Sequence, residues 1–260
     1  MTNPNNKFVF QEERLEAILA LLEKDERILT TDLTEKLNTS IVTVRKDLTL
    51  LENRGLLRRT RGGAVKTKKF YHGLALSEKE RINLDEKMRI VKEAAKLITD
   101  GDAIILDSGS TTGLLAREIK TRKNLTVITN ALNIAYELLD SEVEVILLGG
   151  NLIKDGLTMA GPLTNSMLKK ISANKVFLGV DGIDFSIGLT TPHIEEAQTS
   201  REMMRVSGDV VLLADSSKFG RRSLGVISKV EEIDILVTTK ELTREENDFC
   251  ERNKVSIVEC

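Results

Sequence analysis

The sequence predicts an α/β protein in two parts: a small N-terminal domain of three helices and a β-hairpin, and a larger, doubly wound, mainly parallel α/β domain. Three observations lead to this prediction. Apolar residues recur at helical spacing near the N-terminus, apolar β-branched runs alternate with helical segments farther on, and 260 residues suit two modest domains. Because aromatic residues make up only 3% of the chain and Trp is absent, the core has to be aliphatic.

The composition excludes several classes of protein. So few aromatic side chains exclude nucleic-acid binders that stack bases on an aromatic sheet. Cys250, Cys260, His72 and His193 are too few for a four-cysteine zinc site and lack the spacing of other structural sites, so we expect no metal and no cofactor. The cysteines form no disulfide framework, the N-terminus is polar, and no run approaches about 18–20 apolar residues. The chain is therefore expected to be cytoplasmic, with no membrane partner.

The charge distribution along the chain is uneven. The formal net charge is only −2, so the molecule as a whole presents no field that favours nucleic acid or membranes. Residues 40–69, however, contain nine basic and two acidic residues, a net charge of +7, whereas both flanking stretches are acidic. Such a step indicates a segment that faces a polyanion, although a solvated linker or helix face would carry the same charges.

The spacing of apolar residues predicts three helices in the first part of the chain. Leucine and isoleucine recur at helical spacing over residues 12–24, and shorter apolar patterns mark residues 32–37 and 41–53. Ser40 is placed to cap the third helix with its side-chain oxygen. Val44, Leu48 and Leu51 of that helix form one apolar stripe, so Ile41, Thr43, Lys46 and Asp47 are expected on other faces.

A basic β-hairpin is predicted directly after the third helix. Two short strand-like stretches, 56–59 and 64–66, flank the Arg-Gly-Gly sequence at 61–63, and a Gly-Gly pair is typical of a hairpin turn. Three helices followed by such a hairpin make a winged helix-turn-helix. We place this domain at residues 10–66, with the helix-turn-helix at about 27–46.

This arrangement predicts a DNA-binding surface formed by the third helix and the wing. The helix offers short polar groups and cations to base edges and phosphates, and the Gly-Gly tip lets the wing backbone approach DNA. A three-helix module for protein contacts is the alternative, but the positive charge coincides with the third helix and the wing. The candidate DNA-contacting residues are Ser40, Thr43, Arg45, Lys46, Arg58, Arg59, Arg61, Gly62 and Gly63.

The same region resembles a known family. Residues 33–37 (Leu-Thr-Glu-Lys-Leu), 40–48 (Ser-Ile-Val-Thr-Val-Arg-Lys-Asp-Leu) and 51–64 (from Leu-Glu-Asn-Arg-Gly to Arg-Gly-Gly-Ala) are similar, in register, to the signature of DeoR-type bacterial transcriptional regulators. Lys46 and Arg61 stand where the family commonly has Arg and His, and both keep or raise the positive charge. The resemblance implies binding to double-stranded operator DNA.

A polar segment at 67–85, expected to be a linker, separates this domain from residues 86–260. There, continuous apolar runs alternate with helical segments, which indicates a largely parallel sheet covered on both faces. The predicted strands are 103–106, 125–128, 143–148, 175–180, 210–214, 235–237 and 255–258. The predicted helices are 88–98, 112–121, 131–140, 163–172, 195–206 and 241–252.

Polar residues follow several of these strands, where parallel sheets bind their ligands. The Asp-Ser-Gly-Ser-Thr-Thr segment at 107–112 leads into a helix, so its N–H and hydroxyl groups are placed to hold a phosphate. Carboxylates suit sugar hydroxyls, and Lys218 suits a phosphate or a carbonyl oxygen. Ordinary capping or a solvated turn explains each motif alone, but their repetition favours one pocket. The candidate ligand-binding residues are Asp107, Ser108, Gly109, Ser110, Thr111, Thr112, Asn130, Gly149, Gly150, Asp181, Glu195 and Lys218.

The motifs of this half resemble the effector domain of the DeoR family, whose fold is similar to that of ribose-5-phosphate isomerase. The resemblance implies a domain that senses phosphorylated sugars or related metabolites, with the isomerase phosphate loop corresponding to residues 108–112. We also expect this domain to form a homo-oligomer, a dimer or a tetramer. The resemblance does not carry over isomerase activity, because the carboxylates expected of the isomerase are only partly recognisable.

Three functional hypotheses follow from the sequence. The first is a transcriptional regulator, a repressor of a carbohydrate catabolic operon controlled by a phosphorylated sugar, with no enzymatic activity. The second is an aldose–ketose phosphate isomerase with an accessory DNA-binding domain, in which Asp181, Glu195 and Lys218 are the acid–base set. The third is a constitutive structural DNA-binding protein, which needs no polar pocket.

Overall fold

A computed structural model of the chain describes residues 11–25, 27–53, 57–66 and 74–260. The chain divides into two compact units, Met1–His72 and Gly73–Cys260, and each is described here by itself. None of the helices in the described ranges combines the length and apolar character that crossing a bilayer requires.

The first unit contains the three predicted helices and the predicted hairpin, together with a short strand that the sequence did not predict. Strand β1 (Arg27–Leu29) pairs antiparallel with β3 (Gly63–Lys66), which also pairs with β2 (Leu57–Thr60), so β3 of the hairpin is the middle strand of a three-stranded sheet. The core is aliphatic and contains Leu15, Leu33 and Leu48. The elements are α1 (Gln11–Asp25), β1 (Arg27–Leu29), α2 (Thr30–Lys36), α3 (Ile41–Asn53), β2 (Leu57–Thr60) and β3 (Gly63–Lys66).

Asp47 lies on the buried side of α3, so the expectation that it faces away from the apolar stripe is wrong. Its carboxylate is fully buried and accepts hydrogen bonds from the Arg14 guanidinium, at 2.8 and 3.3 Å, and from the Gln11 amide, at 3.1 Å. A charge buried in a small core is tolerated when it is paired and hydrogen-bonded. The ion pair therefore ties α1 to α3.

The second unit is built on a seven-stranded parallel sheet with the strand order β15-β14-β12-β9-β4-β5-β6. Its strands are β4 (Ala103–Leu106), β5 (Thr126–Thr129), β6 (Glu144–Leu147), β9 (Ala173–Gly179), β12 (Ser207–Ala214), β14 (Ile235–Thr238) and β15 (Ser256–Glu259). Its helices are α4 (Leu76–Lys79), α5 (Leu84–Lys96), α6 (Ser110–Glu118), α7 (Leu132–Glu137), α8 (Pro162–Leu168), α9 (Ile194–Arg205) and α10 (Arg244–Arg252).

Side chains that alternate along the central strands enter two separate hydrophobic clusters. In β4, Ile104 and Leu106 belong to one cluster and Ile105 to the other; in β9, Phe177 and Val176 are divided in the same way. Since successive side chains of a strand point to opposite faces, both faces of the sheet are buried. This confirms the predicted doubly wound arrangement and explains why the strands read as continuous apolar runs.

Two small antiparallel sheets were not predicted. One has the order β10-β11-β13, and the other is the hairpin β7-β8. Their strands are β7 (Asn151–Ile153), β8 (Thr158–Ala160), β10 (Gly182–Asp184), β11 (Gly188–Thr191) and β13 (Gly225–Ser228). They are three or four residues long and rich in glycine and threonine, so their sequences carry too little apolar periodicity to stand out.

The second half of the predicted linker is folded as part of the second unit. Residues 76–79 form α4, Leu76 is buried, and Lys87 on α5 donates hydrogen bonds to the carbonyls of Lys79 and Ile82. The polar composition of residues 67–85 hid this, because the segment is held mainly by charged groups rather than by an apolar stripe. Residues 67–73 of the predicted linker lie outside the described residues.

We expect Arg14→Met to destabilise the first unit locally. The substitution keeps most of the side-chain volume but leaves the Asp47 charge buried with Gln11 as its remaining hydrogen-bond donor, a loss of about 3 kcal/mol. Amide hydrogen exchange, followed by mass spectrometry, should become about a hundredfold faster in α1 and α3. Glu13→Gln, at an exposed position of α1, is the control; unchanged protection in Arg14→Met would contradict the role of the ion pair.

Candidate functional site

The third helix of the first unit has a buried face and an exposed cationic face. Val44, Leu48 and Leu51 are buried in the core. On the exposed side lies an open surface depression of about 460 Å³. Its lining residues are Val42, Arg45, Lys46, Thr49 and Leu50. Arg45 and Lys46, predicted to contact DNA, therefore lie together on the outside of α3.

Ser40 and Thr43, two of the predicted DNA-contacting residues, form the N-terminal cap of α3. The Ser40 hydroxyl oxygen accepts a hydrogen bond from the Thr43 backbone N–H at 3.1 Å, and the two hydroxyls lie 2.9 Å apart. This confirms the capping role predicted for Ser40. Because the two hydroxyls also lie within hydrogen-bonding distance of each other, both contribute to the cap at the N-terminus of the helix.

The wing presents Arg58, Arg59 and Arg61 as exposed side chains. Arg59 is also bound to α3: its guanidinium donates to the Thr49 hydroxyl at 2.7 Å, and its backbone N–H donates to Glu52 at 2.8 Å. Arg59 therefore holds the wing against the third helix. Among the described residues, Arg58 and Arg61 make no side-chain hydrogen bond to this helix.

The two glycines of the wing are required for different structural reasons. Gly62 occupies the turn with φ +97°, a backbone conformation that residues with a side chain rarely adopt. Gly63 pairs with Leu29 of β1, and a Cβ atom there would overlap the carbonyl oxygen of Ile28. Gly63 is thus needed for strand pairing inside the unit, and Gly62 forms the tip.

In the second unit, acidic and amide side chains follow neighbouring parallel strands at one edge of the sheet. Asp215 follows β12, Asp181 comes two residues after β9, Asp107 follows β4 and Asn130 follows β5. These four strands are adjacent in the order β12-β9-β4-β5, so the topology places the four residues side by side. The site predicted from separate strand ends is therefore a single row.

The segment at 108–112 runs into the N-terminus of α6. The first hydrogen bond of the helix is donated by the Gly113 N–H to the carbonyl of Gly109, at 3.0 Å. The N–H groups of residues 110–112 come before this bond and have no acceptor within the helix. Ser108 and Gly109 are half-buried, and Ser110, Thr111 and Thr112 are buried. The positive end of a helix dipole and several hydroxyls thus meet at the row of strand ends, which suits an anion.

Asp107 positions this segment. One carboxylate oxygen accepts from the Ser108 backbone N–H at 2.7 Å, and the other accepts from the Ser200 hydroxyl on α9, also at 2.7 Å. Burial raises the pKa of Asp107 to about 7, although both hydrogen bonds oppose the shift. Since both oxygens are engaged, Asp107 orients the loop.

Two lysines lie beside the Asp181 carboxylate. Lys79 on α4 forms an ion pair with it at 2.6 Å, and Lys218 is close enough to act electrostatically on both Asp181 and Asp215. Burial raises the pKa of Asp181, but Lys79 and Lys218 outweigh it and hold this pKa below its usual value. Burial lowers the pKa of Lys218, against the attraction of the two aspartates. The candidate site therefore brings two lysines together with two buried carboxylates.

Residues of α5 and the turn before it hold this cluster in place. Asn83 donates to Asp215 at 3.1 Å, and Glu86 accepts from the Ser216 backbone at 3.0 Å and from the Thr239 hydroxyl. Lys87 is 2% exposed, and burial together with repulsion from Lys218 lowers its pKa to about 8. Lys79 and Asn83 were not predicted, because they lie in the segment expected to be a linker, and Lys87, just after that segment, was not predicted either.

The remaining predicted residues have different surroundings. Asn130 is buried and donates to the Met159 carbonyl at 3.0 Å, while its Oδ1 has no hydrogen-bond partner among the described residues. The carbonyl of Gly149 accepts from the Thr164 hydroxyl at 2.8 Å, and Gly150 packs against the same threonine. These contacts connect the ends of β5 and β6 to the β7-β8 region and α8.

Glu196, rather than its predicted neighbour Glu195, reaches the acidic row. Glu195 is exposed, whereas the Glu196 carboxylate accepts from the Thr191 hydroxyl at 3.0 Å. Thr191 also approaches Asp181 at 3.4 Å. Burial raises the pKa of Glu196. Among the described residues, no group of three His, Cys, Asp or Glu side chains is arranged as a metal site.

Each of the two units is similar to a domain of a known protein family. The DeoR C-terminal sensor domain matches residues 82–240, and the DeoR-like helix-turn-helix domain matches residues 14–70. The chain belongs to the DeoR family. It is thus a DNA-binding transcriptional regulator, and the matched sensor domain contains the row of strand ends described above.

Curated relatives of this DeoR-family chain align over almost its whole length. The HTH-type transcriptional repressor GlcR of Bacillus subtilis is 36% identical over 251 residues, which are 96% of each chain. The HTH-type transcriptional regulator GlpR of Haloferax volcanii is 33% identical and covers 95% of this chain and 97% of that one. The lactose phosphotransferase system repressor of Staphylococcus epidermidis is 33% identical, with 94% and 95% covered.

Among solved structures, the ribose 5-phosphate isomerase A of Methanocaldococcus jannaschii is 22% identical to this DeoR-family chain. It covers 53% of this chain and 55% of its own, with a TM-score of 0.41. A likeness at this level carries no information about activity.

We expect Asp107→Asn to reduce the pH dependence of stability. Because folding raises this pKa from 3.8 to about 7, the contribution of Asp107 is complete below about pH 4 and is lost as the pH rises through about 7. The difference in unfolding free energy between pH 4 and pH 8 should shrink by roughly 4 kcal/mol at most. Denaturant unfolding at several pH values measures it. Asp140→Asn, at an exposed position, should leave the profile unchanged, and an unchanged profile in Asp107→Asn would contradict the assignment.

Proposed function

We propose that this DeoR-family regulator is a repressor of a carbohydrate operon that binds operator DNA through α3 and the wing and releases it when a phosphorylated sugar binds the second unit. The observation that supports it most strongly is the cluster of Lys79, Lys218, Asp181 and Asp215 beside the N-terminus of α6. A DNA-binding protein without a ligand needs no buried charges at the end of a sheet.

The chemistry of the cluster suits the two parts of a sugar phosphate. The N–H groups of residues 110–112 and the hydroxyls beside them form an anion site for the phosphate. A carboxylate such as Asp181 accepts hydrogen bonds from sugar hydroxyls, and Lys218 compensates the phosphate charge or polarises a carbonyl oxygen. We assign the remaining candidate residues to the walls of this site.

Control of DNA binding is proposed to pass through α4, the first described helix after the boundary between the units. Lys79 on this helix binds Asp181, and a sugar hydroxyl that takes its place at Asp181 would free α4. Such a ligand shifts the equilibrium only as far as it binds one arrangement better than the other, by about 1–3 kcal/mol in typical cases.

The second candidate function is sugar-phosphate isomerisation, for which Asp181, Glu196 and Lys218 offer acid–base groups. We favour binding without turnover, because the relatives that align with almost the whole chain are named as transcriptional regulators or repressors. A coupled assay with aldose and ketose phosphates separates the two functions: turnover that disappears in Lys218→Met would establish the enzyme.

The proposed regulator acts in the cytoplasm as a homo-oligomer. Two copies are needed to bind two half-sites, which lie one or more helical turns, about 34 Å each, apart on DNA.

We expect Lys218→Met and Lys79→Met to separate sugar binding from its effect on DNA. Loss of Lys218 removes charge-assisted hydrogen bonds and should weaken binding of the active sugar phosphate about ten- to hundredfold. Loss of Lys79 should leave the ligand bound but reduce its effect on operator affinity. Thermal shifts against a panel of aldose and ketose phosphates, followed by operator titration, measure both effects.

Lys169→Met, at an exposed position after α8, is the matched control and should behave as the unaltered chain. Sugar-phosphate binding that survives unchanged in Lys218→Met would remove this lysine from the site. If no compound of the panel changes operator affinity of the unaltered chain, the sensing half of the proposal is wrong.

For DNA, we expect Arg45→Ala to weaken specific binding by about 1–3 kcal/mol and non-specific binding much less. Arg58→Ala on the wing should weaken both equally and reduce the salt dependence, as expected for a phosphate contact. Fluorescence anisotropy with operator and unrelated DNA at several salt concentrations distinguishes the two roles. Equal losses on both DNAs in Arg45→Ala would argue against base recognition by this residue.

A further inference from the structure

An apolar side chain is exposed at the start of α3. Val42, the second residue of the helix, is 58% exposed, although it belongs to a helix whose other valine, Val44, is completely buried. In the free protein this apolar side chain is left in water, and burying it against an apolar group would be favourable. A partner that presents an apolar group at this point would bury the side chain.

Val42 shares its face of the helix with the basic residues. Arg45, Lys46 and Thr49 follow it at i+3, i+4 and i+7, and all four line the same surface depression. The N-terminal residues of a recognition helix are the ones that reach base edges in the major groove. Val42 therefore lies where a side chain of α3 would meet a base.

The polar groups nearby are already engaged. Ser40 and Thr43 cap the helix, and the Thr49 hydroxyl donates to the Arg45 carbonyl at 2.8 Å while accepting from Arg59. Direct recognition on this face is left to Arg45, Lys46 and Val42. The apolar group that the major groove offers is the C5 methyl of thymine, which distinguishes an A·T pair at that position.

We propose that Val42 is a specificity-determining residue that contacts a thymine methyl group in each half-site of the operator. This rests on the proposed function, because it takes DNA as the partner of α3. The alternative occupant is an apolar protein surface. It is disfavoured, since Arg45 and Lys46 flank Val42 in the same depression and their charges complement phosphates.

The test uses the full-length chain and DNA sites that it selects from a random duplex library. Each thymine of the selected site is replaced in turn by uracil, which removes the methyl group and leaves the pairing edge intact. At one position in each half-site, the unaltered chain should lose affinity about fourfold, the value of one buried methyl group. Val42→Ser should bind the thymine and uracil sites equally, and Val42→Thr, which keeps one methyl group, should retain part of the preference.

Leu224→Ala is the matched control, since Leu224 is 57% exposed but belongs to the second unit; it should keep the full preference for thymine. The inference fails if no uracil substitution changes affinity, or if the preference survives unchanged in Val42→Ser. In both cases specific DNA binding still stands. If the chain selects no DNA at all, the proposed function fails with it, and a change of oligomeric state in Val42→Ser would assign the surface to a second copy.

Discussion

Asp181 is a carboxylate buried at the end of a central strand, and its charge is stable there because Lys79 and Lys218 lie beside it. The ion pair with Lys79 joins two parts of the second unit that are distant in the sequence. It fixes α4 to the sheet, and the neighbouring residues Asn83 and Lys87 complete the support. A buried ion pair contributes little net stability compared with apolar residues of the same size, so its retention here fits a role in binding.

A parallel sheet makes this concentration of charge possible. All seven strands end on the same side, so residues that are far apart in the sequence, such as Asp107 and Asp215, follow strands two places apart. The two hydrophobic clusters on its faces bury the strands and leave the ends for polar chemistry. In the first unit, the exposed surface is set by a helix rather than by strand ends. One face of α3 packs in the aliphatic core, and the opposite face carries the cationic side chains and Val42.

Local patterns explain why so much of the fold was predictable. Helical spacing predicted α1 and α3, and continuous apolar runs predicted the seven strands, with differences of at most three residues at their ends. The elements that were missed are short and polar. Strand β1 has three residues, and α4 is held by ion pairs and hydrogen bonds to carbonyl groups rather than by an apolar stripe.

The sequence by itself determined the two-part organisation, the family resemblance and the cationic third helix, because these depend on periodicity and on residue types close together in the chain. Tertiary structure decided which side chains meet. It placed Asp47 in the core with Arg14, engaged both oxygens of Asp107, and brought Lys79 to Asp181 across about a hundred residues. Most of these contacts join segments that are distant in the chain, and no local pattern in the sequence records the distance between such segments.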